Sequence, residues 1–155
     1  MLLKIVETLY KFFCIYQCLS LKSISIPGTT MNLEDRCFEG CSSVRRICFQ
    51  KRPSILEPIM FGECVFALCE NLIRINFKDS GVTSIAESCL AGCTNLKQVI
   101  LEKKTNKISQ KAFLNCQLIE YIGYDNLVGN VCWDNNKFAL DLKYITDFEE
   151  NAFEG

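Results

Sequence analysis

The chain has 155 residues, of which 49% are apolar and 23% charged, and a formal net charge of −1. That composition excludes a disordered tail, and it excludes a generalised nucleic-acid surface, which needs a clear basic excess. Eleven cysteines and no histidine further exclude Ser–His–Asp or Cys–His nucleophile activation and His-ligated zinc.

At the N-terminus, residues 1–20 look apolar, but Lys4, Glu7 and Lys11 interrupt them. No uncharged stretch of secretory length results, and no run approaches the roughly 20 apolar residues of a spanning helix. No Asn-x-Ser/Thr sequon is present. These features slightly favour a cytoplasmic location.

From there the chain repeats. Aligning on one cysteine gives Cys18, Cys41, Cys69, Cys93 and Cys116, with successive gaps of 23, 28, 24 and 23 residues. Three residues after each anchor stand Leu21, Val44, Leu72, Leu96 and Ile119; six after stand Ile24, Ile47, Ile75, Val99 and Ile122. Eight after come Ile26, Phe49, Phe77, Leu101 and Tyr124. Three before stand Ile15, Phe38, Phe66, Leu90 and Phe113, and five before those Tyr10, Leu33, Phe61, Ile85 and Ile108. Columns this uniformly apolar mark a structural repeat in which each copy buries its face only against its neighbours.

Each copy predicts three pieces. LKQVIL and LKSISI alternate with period two and are rich in β-branched residues, so this segment is a strand. A polar bend follows, such as PGTT, KDSG or KKTN. In CFEGC, CLAGC and AFLNC, apolar residues four apart share one face of a helical turn, too short to stand alone and held by packing. Repeated, these pieces predict an α/β solenoid of about 23 residues per repeat, with one short parallel strand and one helical turn in each. The five extra residues of the third copy fall in KRPSILEPIMFGE, where Pro53 and Pro58 make an insertion outside the strand ladder easy to tolerate.

The unit C-x-x-L-x-x-I-x-I, a polar bend, V-x-x-I and then A/C-F-x-x-C resembles the BspA-like leucine-rich-repeat family. LAGCTNLKQVIL, FEGCSSVRRICF and KISQKAFLNC carry the likeness, which covers roughly residues 10–124 and resumes as YITDFEENAFEG at 144–155. The resemblance implies a curved solenoid. It also implies a non-catalytic binding role, including adhesion and a place at the cell surface, as for members of that family. Residues 125–143 break the period. FALDL at 138–142 reads either as the strand of a degenerate sixth copy or as part of a surface insertion. The whole chain, 1–155, is expected to be one solenoid, with 144–155 opening a further repeat that stops one residue short of its anchor cysteine. No polar cap closes either end, so the expectation is a piece of a longer array, with end-to-end self-association as the alternative.

Eight cysteines fall in two columns: the five anchors, and Cys14, Cys37 and Cys89 four residues earlier, where Ala112 stands in the last copy. Alternation with alanine there asks for a small apolar body. Residues stacked in one column have parallel Cα–Cβ vectors, poor geometry for a disulfide, and the C-x-x-x-C pairs follow from the repeat rather than from metal-ligand spacing. Buried reduced thiols are expected, with no metal and no cofactor; an extracellular adhesin with partly oxidised cysteines is the rival. Cys48, Cys64 and Cys132 lie off the columns. Cys48 takes an outward strand position and is the candidate reactive thiol.

The outward strand positions carry Lys22, Arg45, Arg46, Arg74 and Lys97 in the first four copies and no acidic residue. These five, with Tyr121 in the fifth copy, are the candidates for partner contact. One reading is a docking face for a protein or acidic glycan. The plainer one is a solvated face in a structural spacer that binds nothing itself. Acidic pairs such as Glu149 and Glu150 lie on bends and do not converge on one point, and the GTT after Pro27 lacks the lysine of a phosphate loop. No catalytic constellation is legible, and no enzyme is expected.

Overall fold

A computed structural model describes residues 2–4, 15–54, 56–124, 139–140 and 142–155. Seven strands form one parallel sheet: β1 (Leu2–Lys4), β2 (Ser23–Ile26), β4 (Arg46–Phe49), β6 (Arg74–Asn76), β8 (Gln98–Ile100), β10 (Tyr121–Gly123) and β11 (Ala139–Leu140). Two-residue strands alternate with them in the chain. Of these, β3 (Asn32–Leu33) pairs with β5 (Met60–Phe61), while β7 (Ser84–Ile85), β9 (Lys107–Ile108) and β12 (Asp147–Phe148) form a three-stranded sheet. Every pairing is parallel, the signature of successive coils stacked in one direction.

The register reproduces the sequence columns. Ile24, Ile47, Ile75, Val99 and Ile122 are direct partners across five neighbouring strands. Leu33 faces Phe61, and Ile85, Ile108 and Phe148 line up in the three-stranded sheet. Period-two alternation puts each of these side chains inward, and all but Phe61, which is half-buried, and the exposed Phe148 are buried. The aromatic columns stack inside: Phe38 on Phe66 with centroids 5.6 Å apart, Phe49 on Phe77 at 5.3 Å, and Phe61 edge-on to Phe66 and Phe77. At the C-terminal end Phe113 stacks on Phe153 at 4.9 Å, a geometry that adds to the burial of each ring.

The expected helical turn is not there. Among the described residues there is no helix, so the architecture is a parallel β-solenoid rather than α/β. The backbone explains the difference. Each turn segment holds two left-handed residues four apart: Arg36 and Gly40, Cys64 and Leu68, Ser88 and Gly92, Lys111 and Asn115. Left-handed residues break a helical path, and at non-glycine positions each costs on the order of 1 kcal/mol. Alternate N–H groups then take different partners. Those of Cys37, Glu39 and Cys41 bond three residues back within the turn, to the carbonyls of Glu34, Arg36 and Phe38. Those of Arg36, Phe38 and Gly40 cross to the carbonyls of Glu63, Val65 and Ala67 in the next coil, at 2.8–2.9 Å. The same crossings recur from Cys64, Phe66 and Leu68 and from Ser88, Leu90 and Gly92. Apolar residues four apart signal an inward-facing turn equally well in either conformation, which is why the spacing suggested a helix.

Two departures from the period resolve in space. The extra residues of 51–59 leave the ladder between β4 and β5, and Arg52 fixes them in place. It is 9% exposed, and its guanidinium donates to the carbonyls of Gly28, Thr30 and Glu57 and to the sulfur of Met31. A Cβ on Gly28 would lie 2.2 Å from the Lys51 carbonyl oxygen, so only glycine lets the two coils approach this closely. The loop is thus outside the strands but built into the packing. In the second departure, Ala139–Leu140 pairs with β10, with Leu140 opposite Ile122, while β12 pairs with β9. Ala139–Leu140 of FALDL thus adds a strand at the edge of the sheet beside β10; residues 125–138 and 141 of the break lie outside the described residues.

Because each interface is shared by two coils, Leu96→Ala or Phe113→Ala should lower unfolding stability by about 2–5 kcal/mol, measured by denaturant titration. A loss below about half a kcal/mol would place these side chains at the surface.

Candidate functional site

The anchor cysteines form a ladder of their own. The thiols of Cys41, Cys69, Cys93 and Cys116 donate to the carbonyls of Ile15, Phe38, Phe66 and Leu90, at 3.0, 3.4, 3.2 and 3.1 Å. Each acceptor lies three residues before the anchor of the preceding coil. The same carbonyl also accepts the N–H of its own anchor, so both lone pairs of Phe38, Phe66 and Leu90 are used. The thiols point back along the stack while the turn N–H groups point forward. A small donor is what these positions require; alanine would leave a lone pair idle. Cys37 and Cys89, in the earlier column, are buried small bodies in line with the sequence reading.

No disulfide joins any two of the nine described cysteines; Cys14 and Cys132 lie outside the described residues. Burial pushes Cys69 and Cys116 up to about 12 and also raises Cys93 and Cys89 well above the ordinary thiol value. A hydrogen bond with Ser20, the main cause, lowers Cys18 instead. Among the described residues no group of three or more Cys, Asp or Glu side chains is arranged to hold a metal ion. No described helix is long and apolar enough to cross a membrane.

The outward face of the seven-stranded sheet holds the remaining candidates. Arg46 and Arg74 are direct partners on β4 and β6, in the same register position as Gln98 and Tyr121. Lys22 and Arg45 are exposed one position earlier on adjacent coils, joined by the Arg45 N–H bond to the Lys22 carbonyl at 2.9 Å. Lys97 is ion-paired to Glu120 of the next coil at 2.7 Å, which neutralises it on this face. The pair is solvent-screened and adds little to stability. Cys48 is exposed in the neighbouring row, beside Asn76 in register. Together Arg46, Cys48, Ile73, Arg74, Asn76, Lys97, Gln98 and Glu120 line a shallow depression of about 500 Å³.

Tyr121 does not belong to that surface. It is 5% exposed, and its outward neighbour in the next row, Ile100, is fully buried. Tyr121 and Ile100 are thus covered, while Gln98 of β8 stays half-exposed, as Arg74 and Asn76 of β6 do. What the columns could not show is this change in exposure, and the Lys97–Glu120 pair was missed. The pair had a legible signal: Lys97 and Glu120 occupy the same column of successive copies.

A family profile described as the BspA type leucine rich repeat region matches residues 8–139 in six copies. The chain belongs to this family. One solved structure shows the same fold class, and a second aligns more loosely. A leucine rich cell surface protein from Faecalibacterium prausnitzii aligns with a TM-score of 0.57 and 20% identity, over 83% of this chain and 31% of its own. A leucine-rich repeat protein from Eubacterium ventriosum aligns with a TM-score of 0.42 and 19% identity, over 88% of this chain and 43% of its own. The chain thus spans less than half the length of either. No curated protein matches it in sequence.

Brief treatment of the native BspA-type repeat with a soluble maleimide should modify Cys48 first, read by peptide mass spectrometry; protection of Cys48 with early labelling of Cys69 or Cys93 would contradict the register. Stability should also fall on the alkaline side. The buried thiols have folded pKa values above their ordinary value, so their contribution is whole below about pH 9 and is lost as pH rises toward 12. Melts between about pH 8 and pH 11 should show up to about 1.4 kcal/mol lost per pH unit for each such thiol; a flat profile would mean that the thiols ionise in place.

Proposed function

We propose that this BspA-type repeat chain is a non-catalytic protein-interaction module that binds its partner through the exposed face of the seven-stranded sheet. The observation that carries the reading is the segregation of charge on that face. Lys22, Arg45, Arg46 and Arg74 gather on β2, β4 and β6 and the turns leading into them, in a chain whose net charge is −1. Inward positions are committed to packing, and the turn face is committed to coil-to-coil hydrogen bonds. Only the sheet face offers side chains that vary from coil to coil while their backbone stays rigid, which suits recognition.

The family assignment supports an interaction role. The likeness to a leucine rich cell surface protein favours a place at the cell surface, where adhesion is the fitting activity. The opposing indication, reduced buried cysteines, is weaker, because the anchor thiols are held by packing and hydrogen bonds in any compartment.

Charge reversal on the face is the test. Immobilised chain should retain a defined set of proteins from a cell-surface extract, identified by mass spectrometry. Arg46→Glu with Arg74→Glu should lose that set, while Lys103→Glu with Lys104→Glu, on a bend away from the face, should keep it. Identical capture by all three chains would overturn the reading.

A further inference from the structure

The stacked coils leave the sheet face open to variation, and the long insertion adds a second surface outside the repeat. Residues 51–54 and 56–59 leave the ladder and meet the bends of the next two coils, around Asp79 and around Glu102. Insertions between repeats collect on loops, and loops held by a firm scaffold are where binding is often placed. Between the loop and the bends lies a hollow of about 210 Å³. Pockets for drug-sized ligands run to roughly 300–1,000 Å³, so this one has the size for a small metabolite.

Its shape is fixed by Arg52. The Arg52 N–H donates to the Asp79 carbonyl at 2.9 Å. The Arg52 stem lies against Gly81, where a Cβ would come within 2.6 Å of Arg52 Cδ. All five guanidinium donors are occupied by the carbonyls of Gly28, Thr30 and Glu57 and the sulfur of Met31, so Arg52 holds the loop and has no donor left for a ligand.

Four other charged side chains line the hollow: Lys51 and Lys104, and Asp79 and Glu102. None of them takes part in an ion pair among the described residues. Glu102 is half-buried, and its Oε2 is shut off from solvent with no hydrogen-bond partner. A carboxylate oxygen left in that state costs stability unless something donates to it. The terminal torsion of a glutamate is broad and two-fold, so rotation exchanges its two oxygens and either can meet a donor in the hollow. Two ammonium groups against two carboxylates leave these four in balance. A ligand with one sign of charge is attracted by one pair and repelled by the other; a ligand carrying both charges suits both. Pro53, Leu56 and Pro58 add an apolar wall.

We propose that this hollow binds a free α-amino acid with an aliphatic side chain. Lys51 and Lys104 meet its carboxylate, Glu102 and Asp79 meet its ammonium group, and Pro53, Leu56 and Pro58 cover its side chain. Inorganic phosphate fits less well, because Asp79 and Glu102 repel it, and so does a divalent cation, because Lys51 and Lys104 do. The site is separate from the sheet face and does not rest on the interaction reading.

The test is isothermal titration calorimetry on the full chain with L-leucine, with N-acetyl-leucine, which lacks the ammonium charge, and with leucinamide, which lacks the carboxylate. L-leucine should bind saturably at one site per chain, and each derivative at least about tenfold more weakly. Glu102→Gln, which keeps the shape, and Lys104→Ala, at an exposed position, should each weaken leucine binding about tenfold or more, the size expected for one charged hydrogen bond. Neither should lower the melting temperature. Lys103→Ala, outside the hollow, and Arg46→Ala, on the sheet face, should bind leucine as wild type. No saturable heat at millimolar leucine, equal binding of the two derivatives and leucine, or undiminished binding by the Glu102 and Lys104 variants would each overturn the inference. Tighter binding of inorganic phosphate or of calcium than of leucine would overturn it too, since the hollow would then serve one sign of charge.

Discussion

Coil-to-coil backbone hydrogen bonding is the constraint on which this structure depends. No coil has enough apolar surface to fold alone, and none satisfies its own main chain. In the turn segments half of the N–H groups reach forward to the next coil, as from Phe38 to Val65 and from Phe66 to Cys89. The strands do the same through their parallel ladder. Buried backbone groups must be paired, so each coil is held in place by its neighbours and in turn holds them.

Several details follow from that constraint. Left-handed residues such as Arg36 and Ser88 are tolerated because they aim N–H groups across the stack, and the crossings offset their strain. The anchor cysteines add donors running the other way, to carbonyls that also accept an anchor N–H. The aromatic columns fill the interior between the seven-stranded sheet and the two smaller ones. An inserted loop is accepted where a buried side chain ties it down, as Arg52 does with five donors on neutral acceptors. Most of these contacts join residues more than 20 positions apart in the chain.

The same architecture leaves one surface free for function. Inward positions are locked by packing and the turn side by hydrogen bonding, so variation between coils concentrates on the outward sheet positions. There the chain places Arg46 directly opposite Arg74 in register. Further along, Lys97 is paired with Glu120 and Tyr121 is buried. The surface is of mixed polarity, in keeping with the proposed interaction role.

Much of this was legible in the residues themselves. Period-two alternation in segments such as LKQVIL determined the strands, and the recurrence of Leu96, Val99 and Leu101 type positions determined the columns, the parallel stacking and the outward set that includes Arg46, Arg74 and Cys48. These are properties of local pattern, which one chain displays without its neighbours. The tertiary structure alone decided the rest. It made the turn segment a set of crossings rather than a helix, because the partners of its N–H groups belong to the next coil. It made anchor thiols donors, Arg52 a clamp and Lys97 a paired cation, and it took Tyr121 out of the face. In every case the deciding atom is a partner one coil or more away, and its distance exists only once the coils are stacked.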